Sequence, residues 1–138
     1  MWLIYAILSA VFAGLTAILV KIGLTGISSN LATAIRTIVV LLASWSIVFM
    51  TEKVNFSQLS KKNLIFLVLS GLATAASWLT YNRALQLGPA SKVIPIDNAS
   101  IVIGMLLAFI VLREKITAPT LIGGAFITIG VLVIAFNK

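Results

Sequence analysis

The chain has 138 residues, of which 61% are hydrophobic and 9% charged, and its mean hydropathy is +1.18. A soluble domain carries about 25% charged residues, so this chain cannot cover a water-facing surface, and lipid must be part of its solvent. Ten Lys and Arg against three acids give a formal net charge of +7, and the absence of Cys and His excludes disulfide frameworks, thiol chemistry, the usual zinc sites and any His-dependent triad.

A spanning helix needs about 20 mostly apolar residues, and the sequence predicts five. The first covers residues 2–24. It opens Met1-Trp2-Leu3-Ile4, without the basic stretch of a cleavable signal peptide, so it is expected to be retained. A short turn with Gly26, Ser28 and Ser29 leads to the second helix, 31–50. The longest polar stretch, 51–62, carries Glu52, Lys53, Lys61 and Lys62. The third helix, 63–87, stops at Gly88-Pro89, a strong breaker pair. The fourth covers 90–112 with Pro95 near its start, and Arg113-Glu114-Lys115 forms a charged turn before the fifth, 118–136. The fold class is therefore an all-α integral membrane bundle of five helices in one domain, 1–138. Connections are short, so neighbouring helices run antiparallel.

Five spans put the termini on opposite sides of the membrane. Counting every base places Lys53, Lys61, Lys62, Arg113 and Lys115 on the N-terminal side and Lys21, Arg36, Arg83, Lys92 and Lys138 on the other. That balance sets no orientation. Leaving out Lys21, Arg36 and Arg83, which lie within apolar runs, favours an N-terminus in the cytoplasm. Either a single orientation or a dual topology is compatible with these charges. The bases sit beside or inside apolar runs, so headgroups and loop orientation account for them, and no nucleic-acid partner is expected.

An ionisable side chain at the centre of a membrane helix costs about 2.5–3.5 kcal/mol on insertion scales, and by default it marks function or a pair. Lys21, Arg36, Arg83 and Asp97 are the candidates, the last followed by Asn98. At 1.5 Å per residue, Arg36 and Asp97 lie about 9–10 Å below the starts of their helices. Lys21 and Arg83 sit near the same side, so all four share one leaflet. Two readings stand for each. Lys21 and Arg83 either snorkel to headgroups or face a cavity. Arg36 and Asp97 either lock two helices as an ion pair or serve a solvated site.

On the third helix Ser70, Thr74, Ser77 and Tyr81 share one face at spacings of four, three and four, flanked by Trp78 and Asn82. This stripe either lines a cavity or bonds back to its own helix carbonyls. Rows of small residues on the first, fourth and fifth helices suit close helix packing. Pro95, two residues before Asp97, removes a helical hydrogen bond, and transporters build sites at such interruptions.

Tyr81-Asn82-Arg83-Ala84-Leu85-Gln86-Leu87-Gly88-Pro89-Ala90-Ser91, then Pro95-Ile96-Asp97, then Leu112-Arg113-Glu114-Lys115, then the glycine-bearing stretch 123–130, resemble the EamA domain of the drug/metabolite transporter superfamily. Lys21 late in the first helix and Arg36 early in the second also match, and the resemblance covers nearly the whole chain. It implies a fold of two inverted five-helix repeats and alternating-access transport of small metabolites, amino acids, nucleobases or drugs. This chain resembles one repeat, so the resemblance implies an antiparallel homodimer of dual topology, or a partner carrying the other repeat. Glu114 matches an acid that marks the turn before the family's last helix.

The expected function is thus a secondary transporter subunit of the plasma or inner membrane with a small-molecule substrate, lipid as surroundings and no cofactor. Lys21, Arg36, Ser77, Trp78, Tyr81, Asn82, Arg83, Asp97 and Asn98 are the candidate binding or coupling residues, with Asp97 a candidate proton carrier and the bases suited to anionic or zwitterionic solutes. The alternative is a non-transporting scaffold or the partner subunit of a hetero-oligomeric transporter. An enzyme is not expected, because Ser70 lacks a His and the acids are too few and too separated for paired-carboxylate chemistry.

Overall fold

A computed structural model describes residues 1–51, 54, 56 and 59–136; Glu52 and Lys53 of the polar stretch and Lys138 lie outside the described residues. Among the described residues five segments are long and apolar enough to cross a membrane: Trp2–Gly23, Ser29–Thr51, Lys61–Leu87, Ala90–Val111 and Ala118–Phe136. At 1.5 Å per residue they reach about 29–41 Å, enough for a hydrocarbon core of about 30 Å. No strand occurs among the described residues. In lipid each backbone N–H and C=O must be paired within its own segment, which a helix achieves and an open sheet does not.

The chain divides into two compact units, Met1–Leu87 and Gly88–Lys138. The first holds α1 (Trp2–Gly23), α2 (Ser29–Thr51) and α3 (Lys61–Leu87), and α3 packs against both α2 and α1. The turn after α1 closes with Leu24 N–H on Val20 O at 2.9 Å, and Gly26 takes the left-handed conformation at φ 78° that a Cβ would disfavour. α2 begins two residues earlier than the apolar run suggests, because the Ser28 hydroxyl accepts Leu31 N–H at 3.3 Å. Ser60 does the same for α3, accepting Asn63 N–H at 3.1 Å, so Lys61 and Lys62 belong to the helix. Each serine satisfies one of the donors that a helix start leaves unpaired.

In the second unit the fourth span is two helices, α4 (Ala90–Asp97) and α5 (Ser100–Val111), and α6 (Ala118–Phe136) packs against both. Pro89 N-caps α4, its carbonyl accepting Lys92 N–H and Val93 N–H at 3.0 Å each. Pro95 has no N–H to donate, and past it the ladder tightens from four-residue to three-residue spacing. Ala99 N–H reaches Ile96 O, Ile101 N–H reaches Asn98 O and Val102 N–H reaches Ala99 O, each at 3.0 Å. The interruption falls at Asn98-Ala99, about 12 Å along the span at 1.5 Å per residue. Arg113 ends α5 in the left-handed region at φ 56°, which lets Glu114 N–H reach back to Ala108 O at 3.3 Å. Glu114 thus serves the turn through its backbone.

The described chain is nearly inside out. Its buried side chains are Ala17, Leu24 and Leu85 among the apolar residues and Ser29, Thr33 and Asn82 among the polar ones, while long apolar residues such as Phe12, Phe66 and Phe126 are exposed. In lipid an exposed Phe loses nothing, so helix association rests on close packing and interhelical hydrogen bonds.

Candidate functional site

The polar burial is concentrated in one place, where α2 meets α3. Residues three and four apart share a helix face. On α2 these are Ser29, Thr33 and Arg36, and on α3 they are Trp78, Asn82 and Leu85. Asn82 Nδ2 donates to Thr33 Oγ1 at 2.6 Å, and Thr33 Oγ1 donates to Ser29 O at 2.8 Å. Thr33 spends its one proton on Ser29, so its oxygen accepts from Asn82. That sets the Asn82 amide with nitrogen toward α2. Asn82 is 1% exposed, and its Oδ1 has no hydrogen-bond partner.

One turn further along α2, the Arg36 guanidinium lies over the Trp78 ring, 4.2 Å from its centroid. A cation over an indole face is held by the ring quadrupole. Arg36 Nη1 is buried and unpartnered.

Arg36 and Asn82 line the same cavity of about 400 Å³. Leu19 and Val20 of α1, Ile27 of the turn and Ile35 of α2 supply apolar wall. The Lys21 ammonium donates to Leu85 O, tying the end of α1 to α3 near this level. A second, more polar cleft of about 650 Å³ shares Ile27 with the cavity and is lined by Ser28, Asn30, Arg83 and Gln86. Gln86 Nε2 donates to Ile27 O at 2.8 Å and so holds the turn between cavity and cleft, while Arg83 Nη1 donates to Gln86 Oε1 at 2.8 Å.

The structure therefore brings Arg36, Trp78 and Asn82 together, and Lys21 of α1 reaches the backbone of α3 at Leu85. Arg83 lies in the neighbouring cleft. Tyr81 is half-buried, and Ser77 is exposed, its carbonyl accepting the Thr80 hydroxyl at 2.9 Å. Of the stripe, Thr74 bonds back to Ser70 O at 2.9 Å. In the second unit Asp97 is the last residue of α4 and Asn98 caps it, both exposed at the interruption. Sequence reasoning missed Thr33, Ser29 and Gln86. The spacing of Ser29, Thr33, Arg36 and Thr37 along one face of α2 was the available signal. Among the described residues no three His, Cys, Asp or Glu side chains group together. The cavity has apolar walls with Arg36 and Asn82 among its lining residues, while Asn82 Oδ1 itself is closed from solvent.

Five apolar helical spans among the described residues, with buried polar groups where α2 meets α3, define a multi-pass membrane protein. The chain belongs to the EamA-like transporter family, whose profile matches residues 1–136. It is similar to a Sinorhizobium protein described as an uncharacterized transporter in the cobO 3′ region, 44% identical over 135 residues that cover 97% of this chain and 96% of the relative. No solved structure matches significantly.

Proposed function

We propose that the protein is a secondary transporter subunit of the plasma or inner membrane. It moves a small metabolite or drug-like solute by alternating access as an antiparallel homodimer. The observation that carries this reading is a family match across residues 1–136 together with five segments, among the described residues, that are long and apolar enough to span a membrane. Alternating access in such folds works by rocking one inverted repeat against the other around a site near the midplane. One chain supplies one repeat, and a second copy inserted the other way round supplies its inverse. The five-to-five balance of bases across the two sides is compatible with insertion in both orientations. In this reading residues 1–138 act as one transmembrane domain, and the cavity between α1, α2 and α3 is where the solute enters the chain.

The chain has no cysteine, so a single one reports its own side of the membrane. Phe56, exposed between α2 and α3, is the place for it. Cells carrying Phe56→Cys are treated with a membrane-impermeant thiol reagent before and after permeabilisation. Labelling of about half the protein in intact cells is the expected result. Labelling confined to one condition refutes the antiparallel homodimer and favours a partner chain that carries the complementary repeat.

A further inference from the structure

We propose that the polar cleft at Arg83 and the apolar cavity that adjoins it through Ile27 together hold one acidic phospholipid per chain, with the phosphate against Arg83 and part of an acyl chain in the cavity. Lipid binding does not rest on the transporter reading. Where that reading holds, bound lipid and solute exclude one another, because the cavity is also where the solute enters.

Depth places the cleft at the membrane surface. From Lys62 at its start to Arg83, α3 rises about 32 Å at 1.5 Å per residue, close to the thickness of the hydrocarbon core of about 30 Å. With Lys62 among the headgroups of one leaflet, Arg83 falls among those of the other. The rest of the cleft is Gln86, in the last turn of α3, and the stretch 26–30, which joins the end of α1 to the start of α2. The cavity reaches deeper, from Gly23 back to Thr16 on α1 and from Ala32 to Arg36 on α2. A ligand that fills both is polar at the surface and apolar below it.

Charge narrows the polar end. Arg83 is the cation of the cleft, and Ser28, Asn30 and Gln86 line it with neutral polar groups. Arg83 Nη1 donates to Gln86 Oε1, a neutral acceptor. The three acids of the chain are Glu52, Asp97 and Glu114, and none of the described ones lines the cleft. The charge of Arg83 is therefore left for an outside anion, and a guanidinium matches phosphate geometry. Basic pockets between membrane helices take acidic headgroups in this way, whereas a choline cation would meet no carboxylate here.

The apolar end decides between lipid and free phosphate. The cavity of about 400 Å³ has Leu19, Val20, Ile27 and Ile35 in its wall, and Ile27 lines the cleft as well. Inorganic phosphate or a sugar phosphate would use the cleft alone. A phospholipid joins phosphate to acyl chain through one glycerol and uses both.

Native mass spectrometry of the full chain in a mild non-ionic detergent tests this with three probes: dioleoyl phosphatidylglycerol, dioleoyl phosphatidylcholine and glycerol 1-phosphate. The expected result is saturable binding of one phosphatidylglycerol per chain, about fivefold tighter than phosphatidylcholine, which is what one cation contributes at an anionic surface. Glycerol 1-phosphate in large excess should not displace it. Arg83→Gln should bring phosphatidylglycerol to the level of phosphatidylcholine, and Arg113→Gln, in the other unit, should not. Ala32→Phe, which narrows the cavity, should weaken phosphatidylglycerol as well. Equal binding of the two lipids, or equal losses in Arg83→Gln and Arg113→Gln, overturns the site and leaves Arg83 among bulk headgroups. Displacement by glycerol 1-phosphate, or unchanged affinity in Ala32→Phe protein of native helical content, overturns the lipid as occupant. Where a variant fails to fold, the three probes on the unsubstituted chain decide. Thiol labelling at position 56 is a separate readout: one-sided labelling removes the antiparallel homodimer without touching lipid binding, and failed lipid binding leaves the dimer standing.

Discussion

Replacing Thr33 by Val isolates the hydrogen bond on which the site is built. Val fills nearly the same volume and removes the hydroxyl. The helix ladder at Ser29 is unaffected, since the hydroxyl is a second donor to Ser29 O alongside the ladder N–H. What is lost is the 2.6 Å bond from Asn82 Nδ2, at a residue that is 1% exposed and already has an unpartnered Oδ1. Interhelical hydrogen bonds in membranes contribute about 0.6 kcal/mol on average and about 1.7 at most, and a buried donor left unpaired adds about 1–3 kcal/mol of desolvation. The expected destabilisation is about 1–2 kcal/mol, since lipid offers Asn82 no replacement partner and the unfolded chain in the membrane finds some. Reversible unfolding by SDS in mixed micelles, followed by circular dichroism, reads it. Asn82→Leu in the Thr33→Val background should restore about 1 kcal/mol, because two apolar partners leave nothing unsatisfied. A single substitution with an effect under about 0.3 kcal/mol, or a double variant whose effects simply add, would refute the claim that this bond organises the α2–α3 contact.

Trp78→Leu removes the ring beneath Arg36 and is expected to lower stability by about 0.5–2 kcal/mol, with Trp78→Phe in between, in the same SDS titration. Gly124 is buried where α5 meets α6, and a Cβ there would lie 2.9 Å from Met105 Cε. The Met end is flexible and gives way to one methyl, so Gly124→Ala should cost under about 1 kcal/mol. Gly124→Val should cost about 2 kcal/mol and be rescued by Met105→Ala; absence of rescue in thermal unfolding would place the clash elsewhere. At Arg113, φ 56° strains any residue with a Cβ and a branched one most. Arg113→Gly should therefore leave the midpoint temperature unchanged or raised, while Arg113→Val lowers stability by about 1 kcal/mol.

The five spans, their order and the stop at Gly88-Pro89 were legible in the sequence, because crossing lipid demands length and apolar character and both are written residue by residue. Arg36 was legible as a candidate because a charged group inside an apolar run is costly and stands out, and Trp78 and Asn82 as flanks of the polar stripe on α3. The face of α3 that turns inward was not. The stripe Ser70, Thr74, Ser77 competes with Trp78, Asn82, Leu85, and lipid and protein interior are equally apolar, so periodicity does not report which side is buried. Thr74 satisfies its hydroxyl on its own helix and need not face inward. The starts of α2 and α3 were set by single hydroxyls on Ser28 and Ser60, and the division of the fourth span by the local ladder after Pro95. Sequence by itself determined that this chain lives in the membrane and which ionisable residues have to be accounted for there. Only the tertiary structure decided which of them meet, because hydrogen bonds such as Asn82 to Thr33, 49 residues apart, depend on how helices pack and not on what either helix contains.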